Sequence, residues 1–193
     1  MINHSKKIVL VFSFLLGYCT IQNAQATIVQ FQTVMGDFQV NLYDKTTPKT
    51  VENFLAYVSS DAYKNSVIHR SMPGFIIQGG GFQWPNKSPL VQIPQNPVVI
   101  NEPVYANKRG TIAMAKLGSS ANSATNQWFF NLADNRSNLD VQNGGFTVFG
   151  EVMGNGMGII DSMAAVAIFN AGGVEGSPTV FSNNLCAIIP LLI

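Results

Sequence analysis

Short apolar segments, each bounded by Gly, Pro, Asn or Asp, recur along most of this chain, and only two stretches break the pattern with helical spacing. That punctuation restricts the fold strongly, because runs of about four to eight residues between turn signals suit strands and are too short for helices. The first two segments, Ile28 to Val34 and Phe38 to Tyr43, flank Met35-Gly36-Asp37. In the second, Phe38, Val40 and Leu42 alternate with Gln39 and Asn41, the period of a half-buried antiparallel strand, and Gly36 supplies the turn. Further strands are predicted around Val67 to Arg70, Gly74 to Gly79, Val98 to Asn101, Gly110 to Ala115, Trp128 to Ala133 and Phe146 to Val152, with a last one between Thr179 and Ile189 that Pro190 ends. The two helices are one capped by Thr47 with Pro48 in its first turn and Val51, Phe54, Leu55 and Val58 on one face, and a shorter one over Met157 to Ala165. Many short strands with two isolated helices predict an antiparallel barrel whose ends the helices plug. Residues 83 to 97 hold four prolines and no strand pattern, which predicts an exposed loop.

The N-terminus follows different rules. Lys6 and Lys7 precede an apolar run from Ile8 to Leu16, and Ala24-Gln25-Ala26 follows after a polar stretch. A basic start, a short apolar centre and an A-x-A site predict a signal peptide over residues 1–26, cleaved after Ala26, ahead of a single domain at 27–193. The apolar run is shorter than the ~20 residues a membrane span requires. Cleavage turns 11 basic against 10 acidic residues into 9 against 10, a net charge of −1. Neither form carries the basic stripe of a nucleic-acid binder. The mature chain keeps one Cys, Cys186, and one His, His69, so no internal disulfide forms and no His-rich metal site exists. The expectation is no metal, no cofactor, no stable membrane insertion and a monomer. Asn86 and Asn135 each head an N-x-S triplet, an acceptor only in a eukaryotic secretory pathway.

The densest chemistry lies at His69-Arg70-x-x-Pro73-x-Phe75-Ile76-x-Gln78-Gly79-Gly80. Taken alone it reads as a strand ending in a glycine turn, where another backbone or a ligand comes close. Ile112-Ala113-Met114-Ala115, Ser123-Ala124-Thr125-Asn126-Gln127-Trp128-Phe129 and Val148-Phe149-Gly150-Glu151-Val152 follow in order. Together these segments resemble the cyclophilins, a class of peptidyl-prolyl cis/trans isomerases. The resemblance runs from about Thr27 to Ile189 and is most similar to bacterial periplasmic cyclophilins.

The resemblance implies a mainly β fold: a closed antiparallel eight-stranded barrel capped by two α-helices. It implies catalysis of rotation about X-Pro bonds, assisting the folding of exported proteins, with proline-containing unfolded or exported polypeptides as partners and the periplasm as location. A non-catalytic prolyl-peptide-binding module or chaperone is the alternative. In the isomerase reading Arg70, Gln78 and Phe75 are catalytic, and His69, Ile76, Met114, Ala115, Lys116, Gln127, Phe129, Leu139 and Phe146 bind substrate. Gln78 would orient Arg70, Lys116 would act mainly through its backbone, and Trp128 would be a buried neighbour of Phe129. Three positions depart from the family pattern: Ile76 stands where Met is usual, Asn138 where many eukaryotic members carry Trp, and Phe146 where the family has His.

Overall fold

In the computed structural model, residues 26–84, 90–166, 169–170, 180–181 and 191–192 are described. The chain opens with β1 (Ile28–Thr33) and β2 (Gly36–Leu42), paired from Thr33↔Gly36 to Ile28↔Asn41. The hairpin turn is Val34-Met35, one position earlier than the expected Met35-Gly36-Asp37. Gly36 opens β2 at φ +124°, a conformation side chains rarely adopt. The Thr33 hydroxyl closes the turn, donating to the Gly36 carbonyl at 2.7 Å and accepting from the Met35 amide at 3.1 Å.

Helix α1 (Pro48–Ser59) buries Val51, Phe54, Tyr57 and Val58. Thr47 sits at the N-cap position but does not cap with its side chain; its hydroxyl donates to Tyr43 O at 3.2 Å. A residue 52 positions from Thr50 does the work instead. Glu102 accepts the Lys49 amide at 3.3 Å and the Thr50 amide at 2.9 Å, placing a carboxylate at the positive end of the helix.

The remaining elements are β3 (Arg70–Met72), β4 (Ile76–Gly79), β5 (Phe82–Gln83), β6 (Val91–Gln92), β7 (Thr111–Met114), β8 (Trp128–Asn131), α2 (Arg136–Leu139), a 3₁₀ turn at Gln142–Gly144, β9 (Val148–Val152), α3 (Gly156–Ala164), β10 (Phe169–Asn170), β11 (Val180–Phe181) and β12 (Leu191–Leu192). Eight strands form one antiparallel sheet in the order β12-β1-β2-β9-β7-β8-β4-β3.

This sheet corrects the expected closed barrel: it is an open half-barrel, and no pairing joins β3 to β12 among the described residues. The edge strand β3 has only three residues. On it the Ser71 hydroxyl donates to Ala164 O at 3.4 Å, so the end of α3 lies beside that edge. The expected two helices become three with the short α2.

Other differences have local causes. Val98 to Asn101 is not a strand but a single bridge, Val99↔Ala124. Pro97 and Pro103 bring no N–H, and the Asn101 and Glu102 amides donate to the side chains of Asn122 and Thr147. The strand expected at Val67 to Arg70 begins at Arg70, Val67 and His69 donating only to Phe82 O and Gln78 O. The stretch from residue 83 to 97 is not wholly an exposed loop: β5 pairs with β6, and Ile93 is buried. Of the strand expected between Thr179 and Ile189 only Val180–Phe181 lies within the described residues, and β12, past Pro190, is an edge strand next to β1. Residues 1–25, Asn86 and Cys186 lie outside the described residues.

Strand alternation divides the sheet into two apolar layers. Phe31, Phe38, Phe54, Ile77, Ile112, Met114, Trp128, Phe130 and Phe149 pack in the main core. Their immediate chain neighbours Ile76, Ala113, Phe129 and Val148 turn to the opposite face, where they join Leu139 in a second cluster. The second face carries the candidate site.

Candidate active site

On that second face four strands bring four side chains into one cross-strand row. Arg70 is paired with Gln78, Gln78 with Phe129, and Phe129 with Ala113. Ile76 lies two residues along β4 from Gln78 and so shares its face. Phe75, Ala115 and Phe146 pack against the cluster. The Phe129 and Phe146 rings meet edge to face at 5.8 Å. The result is a cleft of about 550 Å³ with an apolar floor of Phe75, Ile76, Phe129, Leu139 and Phe146.

One wall is a chain of polar groups. Arg70 Nη1 donates to Gln78 Oε1 at 3.2 Å, and Gln78 Nε2 donates to Gln127 Oε1 at 2.7 Å. That same Gln127 oxygen lies 3.1 Å from His69 Nε2. An amide oxygen only accepts, so the imidazole proton is on Nε2. His69 is 5% exposed, and burial, the largest cause, pushes its pKa down to about 4. At neutral pH it is an uncharged donor that fixes Gln127, which fixes Gln78, which holds the guanidinium at the mouth of the cleft.

The glycine run after Gln78 has its explanation here, and the close neighbour is the protein itself. A Cβ on Gly79 would lie 2.7 Å from the Trp128 ring, and one on Gly80, at φ +79°, 2.5 Å from Asn126 O. Trp128 is fully buried beneath this crossing.

Of the residues singled out from the sequence, His69, Arg70, Phe75, Ile76, Gln78, Ala115, Lys116, Gln127, Phe129, Leu139 and Phe146 all line this cleft. Met114 does not, which corrects its assignment to substrate binding. It shares a face of β7 with Ile112, is 1% exposed, and packs in the main core. The Lys116 side chain is anchored at the rim of the cleft. Its ammonium donates to Asn143 O at 2.6 Å and Gly145 O at 2.5 Å and lies 4.9 Å from the centre of the Phe146 ring. Burial shifts its pKa downward. Asn138 and Gln142, hydrogen-bonded to each other, complete that rim.

The sequence reading missed a buried asparagine cluster behind the floor. Asn135 Nδ2 donates to Phe75 O and to Asn131 Oδ1, both within 2.9 Å. Asn131 Nδ2 donates to Asn107 Oδ1 at 3.1 Å, and Asn107 Nδ2 donates to Asp140 Oδ1 and Phe146 O. The backbones under Phe75 and Phe146, both part of the floor, are therefore tied through one network. Asn135, a formal N-x-S acceptor, is inaccessible for that reason. The only signal in the sequence is the density of Asn between Asn126 and Asn138. Among the described residues no group of three His, Cys, Asp or Glu side chains is arranged to hold a metal ion.

Residues 28–180 match the family model described as cyclophilin type peptidyl-prolyl cis-trans isomerase/CLD. A peptidyl-prolyl cis-trans isomerase of Acinetobacter baylyi is 37% identical over 153 residues, covering 79% of each chain. Peptidyl-prolyl cis-trans isomerase B of Escherichia coli is 38% identical over 155 residues, covering 78% of this chain and 92% of that one. A crystal structure of a Cryptosporidium parvum cyclophilin-type isomerase, determined in the presence of the dipeptide Ala-Pro, superimposes with a TM-score of 0.64 over 86% of this chain and 98% of that chain, at 23% identity.

Proposed function

Because this chain belongs to the cyclophilin-type peptidyl-prolyl cis-trans isomerases, we propose that the Arg70 cleft is where it turns X-Pro bonds, and that its substrates are exported polypeptides. Rotation about a peptide bond is opposed by ~18–20 kcal/mol because the C–N bond is partly double. Before proline both isomers are populated, yet they exchange over tens to hundreds of seconds. Nothing covalent has to form or break. What lowers the barrier is a group that stabilises the twisted state, in which the prolyl nitrogen has regained its lone pair.

The observation that carries this reading is the guanidinium of Arg70, held by Gln78 beside an apolar floor. Phe75, Ile76, Phe129, Leu139 and Phe146 hold the proline ring by burial, which fixes one side of the bond while the preceding carbonyl swings. Arg70 donates to the prolyl nitrogen as its lone pair localises. Its planar fork leaves a second N–H for a substrate carbonyl. Gln78 and Gln127 hold the fork in place, so little reorganisation accompanies the twist.

Export rests on the residues ahead of β1. The family match begins at residue 28 and β1 at Ile28, directly after the Ala26–Thr27 junction. The Thr27 nitrogen lies 2.9 Å from Asp44 Oδ2. After cleavage that nitrogen becomes an ammonium facing a carboxylate, so a hydrogen bond already present becomes an ion pair where the chain is cut. A bacterial periplasm is the compartment this reading assigns.

The test is the cis-to-trans rate of a short X-Pro peptide with the wild-type protein and Arg70→Ala. We expect wild-type acceleration and a loss of at least ~100-fold in kcat/KM in the variant, as for removal of one transition-state donor. A folded Arg70→Ala protein with wild-type rates would remove the reaction from this cleft.

A further inference from the structure

The cleft has a charge at each end and no carboxylate between them. Arg70 lies on β3 and Lys116 directly after β7, on either side of β4 and β8. Three inter-strand spacings separate their strands, and Arg70 is in register with Ala113, three residues before Lys116, so their backbones lie roughly 17 Å apart. Every other polar side chain lining the cleft, His69, Gln78, Gln127, Asn138 and Gln142, is uncharged at neutral pH. Among the described residues neither Arg70 nor Lys116 forms an ion pair; the three pairs found are Lys49–Glu52, Arg109–Asp161 and Arg136–Asp134.

Lys116 is not a flexible surface lysine that solvent averages away. Asn143, Gly144 and Gly145 follow one another with φ of +47°, +74° and +75°, and the carbonyls of the first and third accept from its ammonium. The Phe146 ring covers it from another side. Carbonyl dipoles and a ring fix a cation in space without neutralising it. An ammonium has three N–H donors, so one stays available beside the substrate floor. The whole protein cannot supply the same selection, since its formal net charge is only +1.

Resting on the reading that prolyl peptides occupy this cleft, we propose that Lys116 makes the enzyme selective for prolyl segments with an acidic side chain within two residues of the isomerising bond. With Arg70 reaching the prolyl nitrogen, the distance left to Lys116 is spanned by one or two residues of extended chain, about 3.3 Å each, plus a Glu side chain. A carboxylate there meets the free N–H and the fixed charge, and a Lys there meets repulsion. The bonds Lys116 makes to the turn also make it part of the wall, so removing it lowers activity on every peptide. Only the ratio between peptides isolates the charge.

The experiment measures kcat/KM on short peptides with Glu, Ala or Lys at either of the two positions before the proline, and on a second set varied at either of the two positions after it, at low and high ionic strength. Wild type should favour Glu over Lys by on the order of tenfold in at least one set at low salt, and salt should shrink that ratio. Lys116→Arg should keep the ratio and Lys116→Gln should reduce it to about threefold or less. Glu and Lys peptides within about twofold of each other in both sets would overturn the proposal. So would an undiminished ratio in a Lys116→Gln protein that melts like wild type. Acceleration of the Ala peptides without selectivity would leave the isomerase site standing and sink the selectivity alone. Failure on every peptide would sink both.

Discussion

Acidification should loosen this protein through a single imidazole. His69 is the only histidine after the Ala26–Thr27 junction, and burial lowers its pKa from 6.5 to about 4. A depressed histidine binds its proton more readily in the unfolded chain, so its contribution to stability is complete above pH 6.5 and is lost as the pH falls from there towards 4. At pH 5 the unfolded imidazole is almost fully protonated while the folded one is about nine-tenths neutral, which amounts to about 2 kcal/mol of lost stability. The full difference, reached well below pH 4, is about 3 kcal/mol. Carboxylates titrate in the lower half of this range, so the measurement is a difference. Urea unfolding of a chain beginning at Thr27 and of its His69→Gln variant, both at pH 7, 6 and 5, should give free energies that converge or cross by about 2 kcal/mol as pH falls, because Gln carries an N–H to Gln127 but no titratable group. A wild-type-minus-variant difference that stays constant from pH 7 to 5 would refute the reasoning: His69 would then be hydrated or protonated in the folded protein.

Three further outcomes follow from contacts described above. Asn131→Ala strips partners from both Asn107 and Asn135 and should lower stability by roughly 2–3 kcal/mol in urea unfolding, with KM raised more than kcat is lowered as the floor at Phe75 and Phe146 loosens. Met114→Leu conserves volume on the core face of β7 and should cost less than about 1.5 kcal/mol, with kcat/KM within about twofold of wild type; a large KM effect would return Met114 to the substrate surface. In a chain beginning at Thr27, Asp44→Asn should lower the Tm by a few degrees at most, an effect that salt weakens and that is smaller when residues precede Thr27 and the donor is a neutral amide.

How much of this was legible beforehand depended on the range of each interaction. The β1–β2 hairpin, α1 and α3 were readable because alternation and 3.6-residue spacing are local. The cleft was readable through the ordered motifs, not through spacing: nothing in the segment from His69 to Gln78 announces that Phe129 will be its neighbour. Met114 was misplaced for an instructive reason. Its neighbours Ala113 and Ala115 belong to the cleft face, and assigning the whole run to one surface ignored the period of two. Barrel closure failed as an expectation because it depends on what pairs at the edge of a three-residue strand, a non-local fact. The Glu102 cap on α1 and the Lys116 anchorage share that character, each joining positions far apart in the chain through one side chain. The asparagine cluster left only a density of Asn, which in sequence looks like an ordinary polar turn.

The row Arg70–Gln78–Phe129–Ala113 also bears on how this protein comes to life. Its members meet only when β4, β8 and β7 have zipped together, and such remote pairing is a late and slow event in folding. If Arg70 acts as proposed, its guanidinium has no floor to work against in a partly formed chain, and a nascent copy would not hasten the isomerisation of its own nine prolines. Trp128 lies on the reverse side of the same strand as Phe129 and becomes fully buried by the same event. In refolding, the burial of that indole and the first turnover should rise on one time course, and a molecule of the enzyme that is already finished should shorten the wait for the next.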